Sequence, residues 1–184
     1  MSRLDMDHPQ QNPQGPAFDR RFRDTLEELL VWRRDVRRFR TDPVDPALLH
    51  DLLRLAALSP SVGNAQPWRF VIVEDPGRRT EIIRNFEAAN ADALTAYDGE
   101  EAETYAGLKL AGLRDAPVHL GVYCDEATEM GAGLGRRTMP EMLAYSVVGA
   151  VTTLWLAARA HGIGLGWVSI LDPVAADRTL DVPD

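Results

Sequence analysis

Cysteine is almost absent from this 184-residue chain, and Cys124 is the only one. A lone thiol excludes an internal disulfide, and neither a Cys-x-x-Cys pair nor another zinc-ligand spacing occurs. The four histidines are scattered, so we expect no metal site and interpret His119 as a core histidine whose ring is satisfied. We expect Cys124 to be buried and unreactive. This cysteine usage favours a reducing, cytoplasmic location.

Excess positive charge and long hydrophobic runs are also lacking. The net charge of −8 and the isoelectric point near 5.0 disfavour nucleic acid and anionic membranes as partners. The most apolar stretch, residues 142–158, is shorter than the ~20 residues of a typical membrane span, so we expect a buried helix there. Residues 1–17 lack the apolar core of a signal peptide, and we expect them to form a disordered N-terminal arm before one domain, residues 18–184.

The fingerprints of nucleotide-binding loops are missing too. Residues 131–135 read Gly-Ala-Gly-Leu-Gly, which is not the G-x-G-x-x-G spacing that brings a pyrophosphate to a helix N-terminus. A Walker-type phosphate loop is also absent from the sequence. The chain therefore contains no dinucleotide fingerprint.

Periodicity and turn residues predict an α+β sandwich in which helices separate the strands. A first helix, capped by Asp19 or Asp24, is expected to continue through Val36 into a cluster of arginines. The other predicted helices span residues 46–58, 79–97, 100–113, 140–161 and a short stretch from 173, and the predicted strands span 68–74, 118–124 and 165–171. The helix that starts at Pro140, with Gly162 as its cap, is apolar nearly all round. Such a helix must be covered by the rest of the fold or by a second copy, which predicts a homodimer.

The arginine cluster is the strongest local charge signal. Five of the 20 basic residues lie between Arg33 and Arg40, and on a continuing helix Arg33 and Arg37 would share one face. A guanidinium group can donate two parallel N–H bonds to phosphate oxygens, so the cluster suits a phosphomonoester. A solvated charged face explains the same pattern. Asp35 lies inside the cluster, where its ionised form is favoured, and its ordinary role is an ion pair with Arg38.

Two further places carry isolated polar groups. Ser61, Gly63 and Asn64 lie in a loop and offer hydrogen bonds to a planar ligand, although such residues also serve simply to turn a chain. Ser169 is the only hydroxyl in the apolar strand predicted from residue 165 to 171. A backbone carbonyl is the ordinary partner for such a hydroxyl.

Four segments, taken in order, carry a resemblance to a known family. They are Arg33-Arg34-Asp35-Val36-Arg37, residues 59–68 (Ser-Pro-Ser-Val-Gly-Asn-Ala-Gln-Pro-Trp), residues 155–162 (Trp-Leu-Ala-Ala-Arg-Ala-His-Gly) and residues 164–169 (Gly-Leu-Gly-Trp-Val-Ser). From about Leu30 to its end, the chain resembles the FMN-binding nitroreductase superfamily, and within it the subfamily that makes 5,6-dimethylbenzimidazole. Ordinary nitroreductases usually carry serine where this chain has Asp35. That difference indicates the subfamily.

The resemblance implies a nitroreductase-like sandwich, in which helices flank a central mixed or antiparallel sheet and a homodimer holds FMN at its interface. The FMN-binding residues that it implies are Arg33, Arg34, Asp35, Val36, Arg37, Ser61, Gly63, Leu110 and Ser169. The arginines would bind the phosphate end, Ser61 and Gly63 would contact the flavin, and Leu110 would belong to a lid over it. Another strand and a C-terminal extension are implied beyond Asp184, without which we expect an exposed sheet edge.

The resemblance also implies an unusual reaction, in which reduced FMN is the substrate. Molecular oxygen adds to the flavin, and the ring system is fragmented to 5,6-dimethylbenzimidazole and erythrose 4-phosphate, with no metal involved. Asp35 is the implied catalytic base, Ser169 would hydrogen-bond the flavin, and a separate flavin reductase would supply the reduced FMN. Two alternatives stay open: an ordinary NAD(P)H-dependent nitroreductase, which leaves its flavin intact, and an inactive flavin-binding remnant.

Overall fold

The computed structural model describes residues 15–94 and 112–183, and its chain divides into a unit that ends at Trp32 and a unit that begins at Arg33. In the first unit, helix α1 spans Arg20–Trp32. The Asp19 carboxylate accepts a hydrogen bond from the backbone N–H of Phe22 at 2.8 Å, so Asp19 is the cap, as one of the two sequence alternatives predicted.

The prediction that this first helix continues through Val36 is wrong. Residues 33–37, called the arginine segment below, leave the helix because their backbone bonds elsewhere. The Val36 N–H donates to the Leu165 carbonyl at 3.0 Å, and Asp35 forms an isolated parallel bridge with Leu165. A tertiary partner thus overrides local helix propensity. Arg33 and Arg37 consequently do not share a helix face.

In the second unit, most predicted elements form, with shifted ends. The elements are α2 (Pro46–Ala56), β1 (Trp68–Ile72), α3 (Pro76–Leu94), β2 (Leu120–Cys124), α4 (Met142–Ala160) and α5 (Pro173–Leu180). Asp45 caps α2 by accepting a hydrogen bond from Ala47 N at 2.9 Å. Helix α4 begins two residues after Pro140, and Gly162, with φ of +75°, follows its C-cap His161. Residues 112–115 are helical, whereas the rest of the helix predicted for 100–113 lies outside the described residues.

Strands β1 and β2 form an antiparallel pair that positions the helices on its two faces. Trp68 lies opposite Cys124 and Ile72 opposite Leu120. Because side chains alternate along a strand, Trp68 packs with Val147 and Ala150 of α4, while Val73 packs with residues of α3 and α5. Helix α2 packs beside α4, where its Leu52 and Ala56 meet Leu154 and Ala158, and Phe70 and Leu120 of the strands pack against the same cluster. The described unit therefore has three layers.

The prediction of a third strand over residues 165–171 is wrong. Only Leu165 forms a bridge, with Asp35, and the next backbone donor, Trp167 N–H, bonds the Asp35 carboxylate instead of a carbonyl. Among the described residues the sheet contains two strands, and β2 has β1 as its partner. Residues 165–171 match a strand in sequence, but the strand ladder needs a neighbour that this part of the chain does not supply.

Helix α4 is long and apolar enough to span a membrane by length and composition alone. Seven of its side chains are nevertheless buried in the protein, namely Leu143, Ser146, Val147, Ala150, Val151, Leu154 and Ala158. Four of them, Val147, Ala150, Leu154 and Ala158, pack on α2 or on the sheet. The expectation of a buried helix is therefore met on this face, while Tyr145 and Val148 on another face are 57% and 46% exposed.

His119, which precedes β2, is buried as predicted but is not fully satisfied. It is 8% exposed, and its Nε2 lies 2.7 Å from the Leu113 carbonyl oxygen. Its Nδ1 has no hydrogen-bond partner in the described part of the chain. Burial, with the nearby positive charge of Arg79 as a second cause, lowers the pKa of His119. The fold therefore favours the neutral ring.

This lowered pKa predicts a pH-dependent contribution to stability. The unfolded chain takes up a proton on this histidine below about pH 6.5, where the folded chain resists it, so the contribution is complete above that pH and is lost as the pH falls. We expect His119→Gln, which keeps an amide donor for Leu113 but cannot titrate, to flatten the fall in the free energy of unfolding between about pH 7.5 and about pH 5. Urea titrations at several pH values measure the free energy of unfolding. His50→Gln, at an exposed position, is the control, and parallel wild-type and His119→Gln profiles would contradict the prediction.

Candidate functional site

The arginine segment lies against residues 164–169, called the glycine segment below. A backbone hydrogen bond from Val36 N–H to the Leu165 carbonyl, at 3.0 Å, joins the two. A second bond, at 3.0 Å, runs from the Trp167 N–H to Asp35 Oδ1. The two segments are therefore fixed in register, and the backbone of the glycine segment immobilises the Asp35 carboxylate.

Two glycines permit this close approach. A Cβ atom on Gly166 would collide with the Val36 carbonyl oxygen, and one on Gly164 would lie 2.9 Å from Val36 Cγ2. Neither glycine needs an unusual φ angle, because only Gly162 in this region has a positive φ among the described residues. Their role is therefore to let two backbones meet.

The Asp35 carboxylate is shared between a backbone N–H and a guanidinium group. Its Oδ1 accepts from the Trp167 N–H, and its Oδ2 lies 3.5 Å from Arg37 Nε. The side chains of Asp35 and Arg37 are 37% and 38% exposed, so solvent still reaches both. The ion pair that the sequence suggested with Arg38 is wrong, because the extended backbone brings Arg37 to Asp35 instead.

Arg33 and Arg34 are held by a tryptophan of α4. The guanidinium of Arg33 lies over the Trp155 ring, with Cζ at 5.1 Å from the ring centroid. The indole Nε1–H of Trp155 donates to the Arg34 carbonyl at 3.1 Å. Among the described residues no carboxylate lies within ion-pair distance of Arg33. Its charged face therefore stays available to an anion.

Ser61 and Gly63 form a second group near the start of α4. Ser61 Oγ accepts from Gln66 N–H at 3.0 Å, and the neighbouring Val62 N–H donates to Ser146 Oγ at 3.1 Å. Gly63 has φ of +55°, and a Cβ there would lie 2.8 Å from the Leu134 carbonyl oxygen. Ser146 and the tryptophan beneath the arginines lie about 13 Å apart along the helix, at ~1.5 Å per residue. One chain therefore does not gather all the predicted site residues at one point.

One cavity of about 1040 Å³ collects part of the predicted site. Asp35, Val36, Arg37 and Ser169 line it, together with residues of β2 and α4. Ser169 is exposed and has no hydrogen bond within the described ranges, so the backbone partner expected for its hydroxyl is not found. Leu110 lies outside the described residues. The glycine segment thus brings the serine to the same space as the carboxylate.

Guanidinium groups suit a phosphate in charge, but of the three predicted arginines Arg37 lines this cavity and Arg33 and Arg34 do not, nor do Ser61 and Gly63. Three guanidinium groups lie on one short extended segment, and the one close carboxylate, Asp35, is already compensated by Arg37 and a backbone N–H. The cavity reaches the upper end of the ~300–1,000 Å³ typical of small-molecule sites. Cys124 is partly exposed and not buried as expected, while burial of part of the side chain, and secondarily Glu126 and Asp125, raise the pKa of its thiol.

The contacts of Trp155, Trp167 and Gly166 were missed as functional features by reasoning on the sequence. All three belong to segments that carry the family resemblance, yet helical or strand periodicity assigns them only to packing. A ring beneath a guanidinium depends on two segments far apart in sequence, and no local spacing signals it. The signal that the sequence did contain was the presence of Trp155 and Trp167 in two of the segments that carry the resemblance.

Known proteins resemble this chain both in sequence and in fold. The model of the nitroreductase family matches residues 30–184. A 5,6-dimethylbenzimidazole synthase of Rhodospirillum rubrum is 57% identical over 169 residues, which are 92% of this chain and 80% of the relative. A protein of the same name from Rhodobacter capsulatus is 51% identical over 166 residues, covering 90% and 80%. The solved structure of an oxidized iodotyrosine deiodinase bound to FMN and 3-iodo-L-tyrosine aligns with a TM-score of 0.71 and 28% identity over 86% of this chain and 82% of that one.

The contact between the two segments predicts opposite effects for two glycine substitutions. Gly166→Ala forces the backbones apart, so we expect a loss of about 1–3 kcal/mol in the free energy of unfolding, the usual cost of overpacking. Gly149→Ala is the matched control, because a Cβ there meets nothing within 4 Å. Alanine in that helix interior should stabilise by up to about 1 kcal/mol. Chemical denaturation measures both, and equal stability of the two variants would contradict the inferred contact.

Proposed function

The chain belongs to the nitroreductase family and is an oxidoreductase, and we propose that it is a 5,6-dimethylbenzimidazole synthase. The proposed reaction consumes reduced FMN and O2 and yields 5,6-dimethylbenzimidazole, the lower ligand of cobalamin, and erythrose 4-phosphate. The observation that carries the proposal is the carboxylate of Asp35, held beside Arg37 on the arginine segment. The identity of 57% to a relative of that name supports it.

We assign binding of the phosphate to the arginines. Arg33, Arg34 and Arg37 would hold the phosphate and the ribityl chain, since guanidinium groups pair well with phosphate oxygens. Val36 contributes its backbone, which fixes the segment against Leu165. In this arrangement the FMN phosphate is a recognition handle that orients the flavin without taking part in the chemistry.

Reduced FMN supplies the electrons and the ring atoms that react with O2, and the side chains supply orientation and proton transfer. Asp35 is the proposed base. One of its oxygens is committed to the Trp167 N–H, which fixes the carboxylate, while the second keeps lone pairs for a substrate proton. Ser169, exposed at the same cavity, would donate its hydroxyl to the flavin and steer the fragmentation.

A homodimer is part of the proposal. The loop that contains Ser61 and Gly63 contacts the start of α4 through the Val62 N–H, whereas the arginine segment contacts the C-terminal half of that helix. A second copy would bring the loop of one chain to the arginine segment of the other, with Leu110 as a lid residue. The exposed apolar side chains Tyr145 and Val148 on α4 support a subunit contact there.

We propose that a separate flavin reductase supplies the reduced FMN, as the family resemblance implies. We propose a cytoplasmic location, with no metal, nucleic acid or membrane as partner. Among the described residues no group of three or more potential metal ligands occurs. The proposal thus needs only reduced FMN and O2 as reactants.

The fate of the flavin tests the function directly. Purified protein is mixed in air with FMN, NADH and a separate flavin reductase, and mass spectrometry follows the products. We expect 5,6-dimethylbenzimidazole to accumulate with loss of FMN, and no flavin loss when the protein is left out. An ordinary nitroreductase would instead oxidise NAD(P)H without the added reductase and preserve the flavin. An inactive remnant would neither oxidise NAD(P)H nor form the product. The behaviour of an ordinary nitroreductase or of a remnant would refute the proposal.

Asp35→Asn tests the base. Asparagine keeps an oxygen acceptor for the Trp167 N–H but removes the negative charge, so folding and FMN binding should persist. We expect product formation to fall by about 100-fold or more, the usual contribution of a positioned base. Asp35→Ala, which also removes the acceptor, shows how much of any effect is structural. Product formation at the wild-type rate in Asp35→Asn would exclude this role for the carboxylate.

A further inference from the structure

Trp155 contacts the arginine segment in more ways than a packing residue requires. Its ring face carries the Arg33 guanidinium at 5.1 Å, and its Nε1–H donates to the Arg34 carbonyl at 3.1 Å. The ring also lies 6.2 Å from that of Trp167, at an angle of 44°. The backbone N–H of Trp167 in turn holds Asp35. One side chain of α4 therefore touches, directly or through one neighbour, three consecutive residues of the arginine segment.

The position of Trp155 on α4 is firmly set. Leu154 is 3% exposed and Ala158 is 2% exposed, and both pack against α2 in the core. The helix therefore cannot rotate about its axis without opening the core. Trp155 itself is partly exposed, on the side of the helix that faces the arginine segment. A rigid core element thus presents an indole to an exposed, irregular stretch of chain.

This arrangement addresses a physical problem of arginine-based anion sites. A free arginine side chain loses rotamer entropy when it binds a ligand, and an extended segment without a strand ladder is held by few backbone bonds. A guanidinium already stacked on a ring has lost part of that freedom before the ligand arrives, while its N–H edge still faces outward. Preorganisation of this kind strengthens binding without any new contact to the ligand.

We infer that Trp155 is a positioning residue, which arranges Arg33 and Arg34 in advance for the phosphate group of the flavin substrate. The inference rests on the proposed function, because it takes the phosphate of FMN as the ligand of these arginines. Trp155 acts through the arginines and does not itself touch the phosphate. Its effect is therefore specific to ligands that carry a phosphate.

The test compares FMN with riboflavin, which lacks the phosphate. Trp155→Phe keeps an aromatic face but loses the indole N–H, and Trp155→Leu loses both. We expect the Kd for FMN to rise by about 3-fold in the first variant and by about 10-fold in the second, as one hydrogen bond and one cation–π contact are removed. The Kd for riboflavin should not change. Fluorescence titration of the oxidised flavins on the whole protein measures both constants.

Two further measurements separate positioning from general damage. In an Arg33→Gln background the effect of Trp155→Leu should shrink, because the interaction that it removes is already gone. Thr152→Ala is the matched control on α4, since its hydroxyl bonds only the Val148 carbonyl of the same helix at 2.9 Å, and it should leave both constants unchanged. If Trp155→Leu fails to fold, Trp155→Phe decides.

The outcomes distinguish this inference from the proposed function. Equal weakening of FMN and riboflavin, or no weakening, overturns the positioning role of Trp155. The same holds if the effects of Trp155→Leu and Arg33→Gln simply add. If Arg33→Gln and Arg37→Gln also leave the FMN constant unchanged, the assignment of the arginines to the phosphate fails as well. A selective loss of FMN affinity that depends on Arg33 supports both.

Discussion

The close approach of two backbones, the arginine segment and the glycine segment, is the constraint on which the candidate site depends. A side chain at Gly166 would separate them, because its Cβ would meet the Val36 carbonyl. With glycine there, the Trp167 N–H reaches the Asp35 carboxylate at 3.0 Å. The next side chain on that face of the extended segment belongs to Ser169, which lines the same cavity. Backbone geometry thus brings Asp35 and Ser169 to one cavity.

The electrostatics of the arginine segment follow from what its charges touch. The whole chain carries a net charge of −8, and most surface arginines could satisfy themselves with nearby carboxylates, as Arg40 does with Asp42 at 2.7 Å. Arg33 instead lies on an aromatic ring, which attracts the guanidinium without neutralising its charge. Among the described residues, Arg33 therefore has no carboxylate partner within ion-pair distance, and an anionic ligand could pair with its charge.

Local signals in the sequence predicted the elements whose causes are local. Asp45 followed by Pro46 gave the start of α2, and alternating apolar residues predicted β1 and β2 to within a few residues. The end of α1 and the missing third strand could not be predicted, since both depend on the single pairing of Asp35 with Leu165. For the site, the family resemblance placed Asp35, Arg37 and Ser169 on one ligand, and all three line one cavity. The contact between Arg33 and Trp155 joins residues far apart in sequence, and so had no local signature.

A structural role and a catalytic role for Asp35 do not exclude each other. A carboxylate offers about four acceptor sites, and the Trp167 N–H uses one of them. That bond and the Arg37 guanidinium, whose Nε lies 3.5 Å from Oδ2, restrain the orientation of the carboxylate. An exposed, unrestrained carboxylate would lack a fixed orientation. A base of that kind would have to recover its orientation in each catalytic cycle. The bond that holds the two segments together would therefore also orient the carboxylate in its proposed role as a base.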